Sequence, residues 1–283
     1  MHNGIAGIDH IIVGVRDLEA ARRRWTRLGF TATPRGRHIG QGTANYCIMF
    51  ARDYLELLGF VERDEYGHRL ETFLAQREGA MSVAFAPEGD AAATGAALAG
   101  LGLHPSAPRA LGRALELPEG DAIPRFSLLN LPPEETPALD CFICGHLTPE
   151  LVRRPDWLSH PNGVTGIKAV HLLDEHPAAL APAYRRLFGE DQVAEAKDRV
   201  TVATGRNVLS FTTPAAFHAA YPGIAIAAGF PSPGIVALEL RVASRRQTAS
   251  YLRQAQIAVD ELSDGRLAVA AAEATGTPLI FAE

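Results

Sequence analysis

The stretch Gly7-Ile8-Asp9-His10-Ile11-Ile12-Val13-Gly14-Val15, answered further along by Asp53-Tyr54-Leu55-Glu56-Leu57-Leu58, decides how this chain is read. Both segments are rich in β-branched and aliphatic residues and read as strands. Each nonetheless carries a polar group, the imidazole of His10 and the carboxylate of Glu56. A carboxylate inside an apolar strand is costly unless a cation or a metal meets it. The pair therefore marks a candidate site inside one small unit.

Between the two segments lies a complete grammar. Asp17 is a good N-cap for a helix from Leu18 to Leu28, which Gly29 closes. Leu18, Ala21, Trp25 and Leu28 fall on one face of that helix, so Trp25 reads as core. Short strands are expected near Thr31–Thr33, Thr43–Phe50 and Tyr54–Phe60. The same order of strand, helix and antiparallel strands returns three times. It opens at Met81, at Gly166 and at Gly234, a recurrence of roughly seventy to eighty-five residues that suits a βαβββ unit. The second copy has a helix ending at Gly100-Leu101-Gly102 and strands near 114–117, 125–129 and 140–144. The third has a helix around 179–187 and strands near 199–203 and 207–211. The fourth has a helix over 246–256 and strands near 267–270 and 278–281.

The expected architecture is thus α+β, with four tandem βαβββ units paired into curled mixed sheets. A proline-containing segment between the second and third copies, with an Asn162-Gly163 turn signal, places a boundary near residue 160. That gives one domain over 1–160 with the site and a second over 161–283 built from two degenerate units. The linking segment also carries Trp157 and His160, which are candidates for lining a pocket mouth together with Asn45 on the third strand.

Composition narrows the function. The chain has 283 residues, a formal charge of −5, 47% hydrophobic and 21% charged residues, and a pI near 6.1. No concentrated basic surface points to nucleic acid. No run approaches the ~18 apolar residues of a membrane span, and no signal peptide is apparent, so a cytoplasmic protein is expected. Cys47, Cys141 and Cys144 do not make a disulfide framework. The spacing Cys141-Phe142-Ile143-Cys144 falls in a strand, where residues three apart face opposite ways, so a zinc knuckle is disfavoured.

The first unit resembles the glyoxalase-like branch of the vicinal oxygen chelate superfamily, which includes glyoxalase I, bleomycin-resistance proteins, extradiol dioxygenases and methylmalonyl-CoA epimerase. The resemblance rests on Gly7-Ile8-Asp9-His10, Asp17-Leu18-Glu19, Leu28-Gly29-Phe30, His38-x-Gly40-x-Gly42-Thr43-Ala44-Asn45 and Tyr54-Leu55-Glu56-Leu57-Leu58. It implies two units facing each other across a cleft, with a divalent metal (zinc, iron, manganese or nickel) held from their first and last strands. His10 and Glu56 match those positions in the first unit, and Glu56 would double as catalytic base. The second unit departs from the pattern. Ser82, Val83 and Ala84 stand in its opening strand, and His146, at the end of its closing strand, is the best third ligand. The third unit offers His171 but has Ser210 where Glu56 aligns; the fourth offers Glu239.

The expected function is a metal-dependent lyase or isomerase acting on a small molecule with vicinal oxygens. The alternatives are a metal-free binder of the bleomycin-resistance type and an extradiol-type dioxygenase with iron(II). A purely structural reading pairs Glu56 with Arg35 or Arg37. A small-molecule ligand and a homodimer are the partners compatible with these readings.

Overall fold

The structure, a computed structural model, describes residues 3–62 and 67–283. The first unit comprises β1 (Ile5–Gly14), α1 (Leu18–Arg27), β2 (Gly36–His38), β3 (Thr43–Met49) and β4 (Tyr54–Phe60). After α2 (His68–Gln76) the second comprises β5 (Gly79–Pro87), α3 (Ala91–Gly100), β6 (Arg109–Leu115), β7 (Arg125–Asn130) and β8 (Cys141–His146). The third is β9 (Val164–Leu173), α4 (Ala181–Phe188), β10 (Val193–Ala196), β11 (Arg199–Ala203) and β12 (Val208–Thr212). Following α5 (Pro214–Ala220), the fourth is β13 (Gly234–Val242), α6 (Arg245–Gln254), β14 (Asp260–Glu261), β15 (Leu267–Val269) and β16 (Leu279–Ala282). Four βαβββ units are therefore present, in the expected α+β fold.

The units pair in two curled sheets. The first two close into a barrel of order β1-β4-β3-β2-β6-β7-β8-β5, and the last two form an open sheet of order β10-β11-β12-β9-β13-β16-β15-β14. In each unit the first strand lies parallel to the last, as β1 does to β4 and β9 to β12. The opening strands of paired units run antiparallel, β1 against β5 and β13 against β9.

Strand periodicity sorts the side chains. Ile11 and Val13 of β1, with Leu55 and Leu57 of β4, point into the main core. His10 and Ile12, with Tyr54, Glu56 and Leu58, line the barrel cavity instead. Asp17 caps α1 by accepting from the Ala20 amide, and the helix buries Leu18, Ala21 and Trp25. Trp25 is fully buried, and its Nε1 donates to Thr275 Oγ1 at 2.9 Å, tying α1 to the far end of the chain.

One continuous core runs under both sheets, joining Ile8 and Ile11 to Ile167, Val170 and Leu238. Polar clips fasten it. Asn207 Oδ1 accepts from the Ile8 amide at 2.8 Å, and its Nδ2 donates to the Ile167 carbonyl at 2.7 Å. Asp53 Oδ1 accepts from the Ile167 amide at 2.9 Å.

Some local expectations change, helix α2 being one addition. Residues Thr31–Thr33 form no strand: the Thr31 amide goes to the His160 ring, and Pro34 follows directly, so the short strand forms at Gly36–His38. Helix α5 was not anticipated, although Thr213 accepts from the Ala216 amide and Pro214 starts the helix, a legible N-terminal signature. Among the described residues no helix is long and apolar enough to cross a membrane.

Candidate functional site

The pairing of β1 with β4 sets Ile12 beside Glu56 and His10 beside Tyr54, so the imidazole and the carboxylate share the inner face of the barrel. His10 Nε2 lies 3.3 Å from Glu56 Oε2, and both side chains are buried. A register shift between Ile8 and His10 in the pairing with β5 also turns the neighbouring Asp9 to this region, where it is 2% exposed. Such bulges re-aim side chains that simple alternation would send to opposite faces. His10 Nδ1 is 2.8 Å from Asp9 Oδ2, and the ring stacks on Tyr54 at 4.4 Å between centroids. A carboxylate behind one nitrogen fixes the imidazole and leaves the other facing its partner.

Asp9 is held in turn by His146, whose Nε2 is 3.0 Å from the same Oδ2, and by Arg153 Nη2 at 3.5 Å from Oδ1. Burial alone would raise the Asp9 pKa; the two histidines reverse this and hold it well below the usual carboxylate range. The result is a four-group chain, Glu56, His10, Asp9, His146, alternating carboxylate and imidazole.

On its other side Glu56 meets the first unit's remaining polar groups. Asn45 Nδ2 donates to Glu56 Oε1 at 2.6 Å, and His38 Nε2 lies 3.6 Å from that oxygen. Burial works against the Glu56 charge, but His10, His38, Asn45 and Arg113 together lower its pKa, so the carboxylate is ionised at neutral pH. Burial lowers the pKa of His38, and Glu56 only partly offsets this. These groups border a cavity of about 230 Å³ whose remaining wall includes Ile12, Leu58, Leu111, Phe126 and Phe142. A few convergent polar groups in an otherwise apolar concavity are the usual form of a small-molecule site.

The structural alternative for Glu56 is not realised. Arg35 Nε and Arg37 Nε instead lie 3.0 Å and 2.8 Å from Glu116. His146 reaches the His10–Glu56 pair only through Asp9; its Nδ1 is buried without a hydrogen-bond partner. Trp157 and His160 do not line the cavity. His160 Nδ1 accepts from the Thr31 amide at 3.0 Å and Nε2 donates to the Met49 carbonyl at 3.0 Å, so both ring nitrogens serve the backbone. Trp157 packs on Cys47, Met49, Tyr54 and Val152, with the Arg154 guanidinium over its ring. The linking segment therefore staples strands together.

Several residues escaped sequence reasoning. Asp9 did, because alternation along a strand places it opposite His10. Arg113 did as well, because β6 starts at Arg109 and not at the expected 114. His38 stood in the sequence only as part of the His38-x-Gly40-x-Gly42 stretch, with no site role attached.

The arrangement bears on a metal. Nε2 of His10 and Oε2 of Glu56, 3.3 Å apart, suit two donors on one divalent ion, and Asp9 behind the imidazole supplies the outer-shell partner such ligands use. The second unit adds no comparable donor: Ala84 pairs with His10 and Ser82 with Ile12, and Phe142 lies beside Ala84. Among the described residues, Asp9, Cys144 and His146 place donor atoms within 4.8 Å of one another. Burial pushes the Cys144 thiol well above its usual pKa, which disfavours the thiolate that a metal would need.

Comparison with known proteins agrees with the fold. A family model described as a glyoxalase-like domain matches residues 8–188. A hypothetical protein from Staphylococcus aureus superposes with a TM-score of 0.67 at 12% identity, covering 97% of this chain and 98% of that one. A mutant of 4-hydroxymandelate synthase from Streptomyces coelicolor gives 0.54 at 13% identity, covering 98% and 92%. A fusion of a xylose isomerase-like TIM barrel with a 4-hydroxyphenylpyruvate dioxygenase gives 0.55 at 12% identity, covering 99% of this chain and 49% of that one. No curated protein matches the sequence. At these identities the structural likeness speaks for the fold alone.

Proposed function

This chain belongs to the glyoxalase-like domain family, and from that premise we propose that its barrel cavity houses a lyase or isomerase for a small molecule with vicinal oxygens. The observation that carries the reading is the buried Glu56–His10 pair facing the cavity, with Asp9 behind the imidazole. Glu56, ionised, is the base that takes a proton from a carbon beside the paired oxygens. Neutral His38, 3.6 Å from Glu56 Oε1, is placed to receive that proton and return it. Asn45 fixes the carboxylate through its 2.6 Å bond. Asp9 and His146 hold the His10 ring and act as positioning residues. His10 and Glu56 are the residues that would hold a divalent ion, whose contribution would be Lewis-acid polarisation of the substrate oxygens.

Two measurements test this. Protein purified without chelator should carry a stoichiometric divalent ion that His10→Ala loses. In D2O with added zinc, manganese, nickel or iron(II), the wild type should exchange the carbon-bound proton of small 2-hydroxy or 2-oxo compounds, read by proton NMR. Metal-free protein with no exchange across that panel would sink the proposal. The second reading, a metal-free binding protein, draws on Ser82, Ala84 and Phe142, which leave the second unit without ligands. It expects a ligand recovered unchanged.

A further inference from the structure

Arg113 has no place in the proton-transfer array, yet it lies beside it. It reaches the cavity from β6 and is only 3% exposed. Its Nη1 donates to two neutral groups, Asn45 Oδ1 at 3.2 Å and the Cys47 thiol at 2.8 Å. Its Nε is buried with no hydrogen-bond partner. Among the described residues no carboxylate comes within 4.0 Å of the guanidinium; of the two other arginines at the cavity, Arg69 pairs with Asp140 and Arg109 is exposed. Glu56 acts on it only across a longer gap, and a buried cation with no carboxylate bonded to it is one of the costlier arrangements in a folded protein. The chain nevertheless makes room for it. A Cβ at Gly36 on β2 would stand 2.5 Å from both Arg113 Cδ and Asn45 Oδ1, so only glycine there lets the side chain pass. Phe126 lies under the guanidinium, and Leu111 and Leu128 continue the apolar wall.

We propose that Arg113 anchors a substrate carboxylate, and that the cavity takes a small 2-hydroxy or 2-oxo acid with a short apolar tail. The planar guanidinium suits a carboxylate, and about 230 Å³ admits only a small molecule. Asn45 bridges the anchor to Glu56, bonding each through one end of its amide. A carboxylate on Arg113 is thereby set at a fixed distance from the base. The neighbouring oxygen rests on the proton-transfer reading above, whereas the carboxylate rests on Arg113 alone.

The test is calorimetric binding of 2-hydroxybutanoate and of its uncharged amide, 2-hydroxybutanamide, without turnover. Wild type should bind the acid at least tenfold more tightly than the amide, and Arg113→Met should abolish that preference. Should the methionine variant fail to fold, Arg113→Lys, which keeps charge but not the planar group, should reduce the preference at least threefold. Glu56→Gln should keep or increase it. The proposal is overturned if wild type binds acid and amide equally or binds neither, or if the preference survives in the Arg113 variant. It is equally overturned if the preference disappears only in Glu56→Gln, which would place the carboxylate on the His10–Glu56 centre. Acid binding with no proton exchange would overturn the enzymatic reading and leave the anchor standing.

Discussion

Two concave faces in this molecule carry a histidine and a glutamate at the same separation, and only one of them is open. In the barrel, His10 Nε2 and Glu56 Oε2 are 3.3 Å apart beside a cavity. In the open sheet, His171 Nε2 and Glu239 Oε2 are also 3.3 Å apart. There, however, Lys168 Nζ lies 3.3 Å from the carboxylate and Arg266 Nη1 lies 3.0 Å away. Phe217, Tyr221 and Ile224, from α5 and the residues after it, pack onto Ala237, Ala268 and Ile280 of the sheet. The edge of Tyr221 closes on the His171 ring at 5.2 Å. The same pair of side chains is thus a salt bridge under a helix in one half and a pocket lining in the other. What differs is the filling of the concavity and the number of fixed cations, both set by residues outside the pair.

The largest test of this contrast crosses the two glutamates. Glu56→Gln should lower proton-exchange activity by about 10²–10⁴-fold while leaving the fold intact; Glu239→Gln should leave activity per folded molecule unchanged. Equal kinetic losses from both variants would erase the distinction. Next in size is the plug. Phe217 is fully buried, so Phe217→Ala should cost about 3–5 kcal/mol in urea unfolding, without altering exchange. A loss under about 1 kcal/mol would mean that α5 is not holding the second concavity shut.

The contrast also explains what could be read in the sequence. The four units and the His10–Glu56 pair were legible because strand period, caps and helix-ending glycines act locally. Asn45 was legible for the same reason, three residues after the turn at Gly42. Asp9 was hidden by a bulge, and Arg113 by the long pairing of β2 with β6 that opposes it to His38. The His171–Glu239 pair was also unread, since its two members come from different units and meet only through the antiparallel pairing of β9 with β13. Trp157 and His160 had the right chemistry for a pocket mouth but were bonded to β3 and its flanks, a tertiary fact that their own segment does not encode.

Between the two halves sits Asp53, which sharpens the comparison by pH. Burial raises its pKa from 3.8 to about 6, and the Ile167 amide and Asn207 offset this only in part. The folded state therefore binds the proton more tightly than the unfolded chain. This contribution is fully present below pH 3.8 and is lost as pH rises through 6. Asp53→Asn, which still accepts from Ile167, should match wild type near pH 4 and exceed it by up to about 3 kcal/mol at pH 8 in urea unfolding. A variant less stable than wild type at pH 8 would show that the charged carboxylate itself joins the sheets.

Glu239 should behave with the opposite sign and a smaller size. Burial would raise its pKa, but His171, Arg266 and Lys168 bring it from 4.5 down to about 2. Its stabilisation is present above 4.5 and is lost as pH falls toward 2. Because Lys168 is 38% exposed and Arg266 22%, solvent screening holds the effect to about 2 kcal/mol. Glu239→Gln should therefore lower stability by that amount at pH 7 and by almost nothing at pH 2.5, measured by urea unfolding at each pH. Asp9 and Glu56 titrate in the same direction, so the variant should still lose stability in acid, with a shallower slope. A slope unchanged from wild type would assign acid sensitivity to the barrel alone. The second pair would then be a neutral hydrogen bond, and the resemblance between the two halves would end at their geometry.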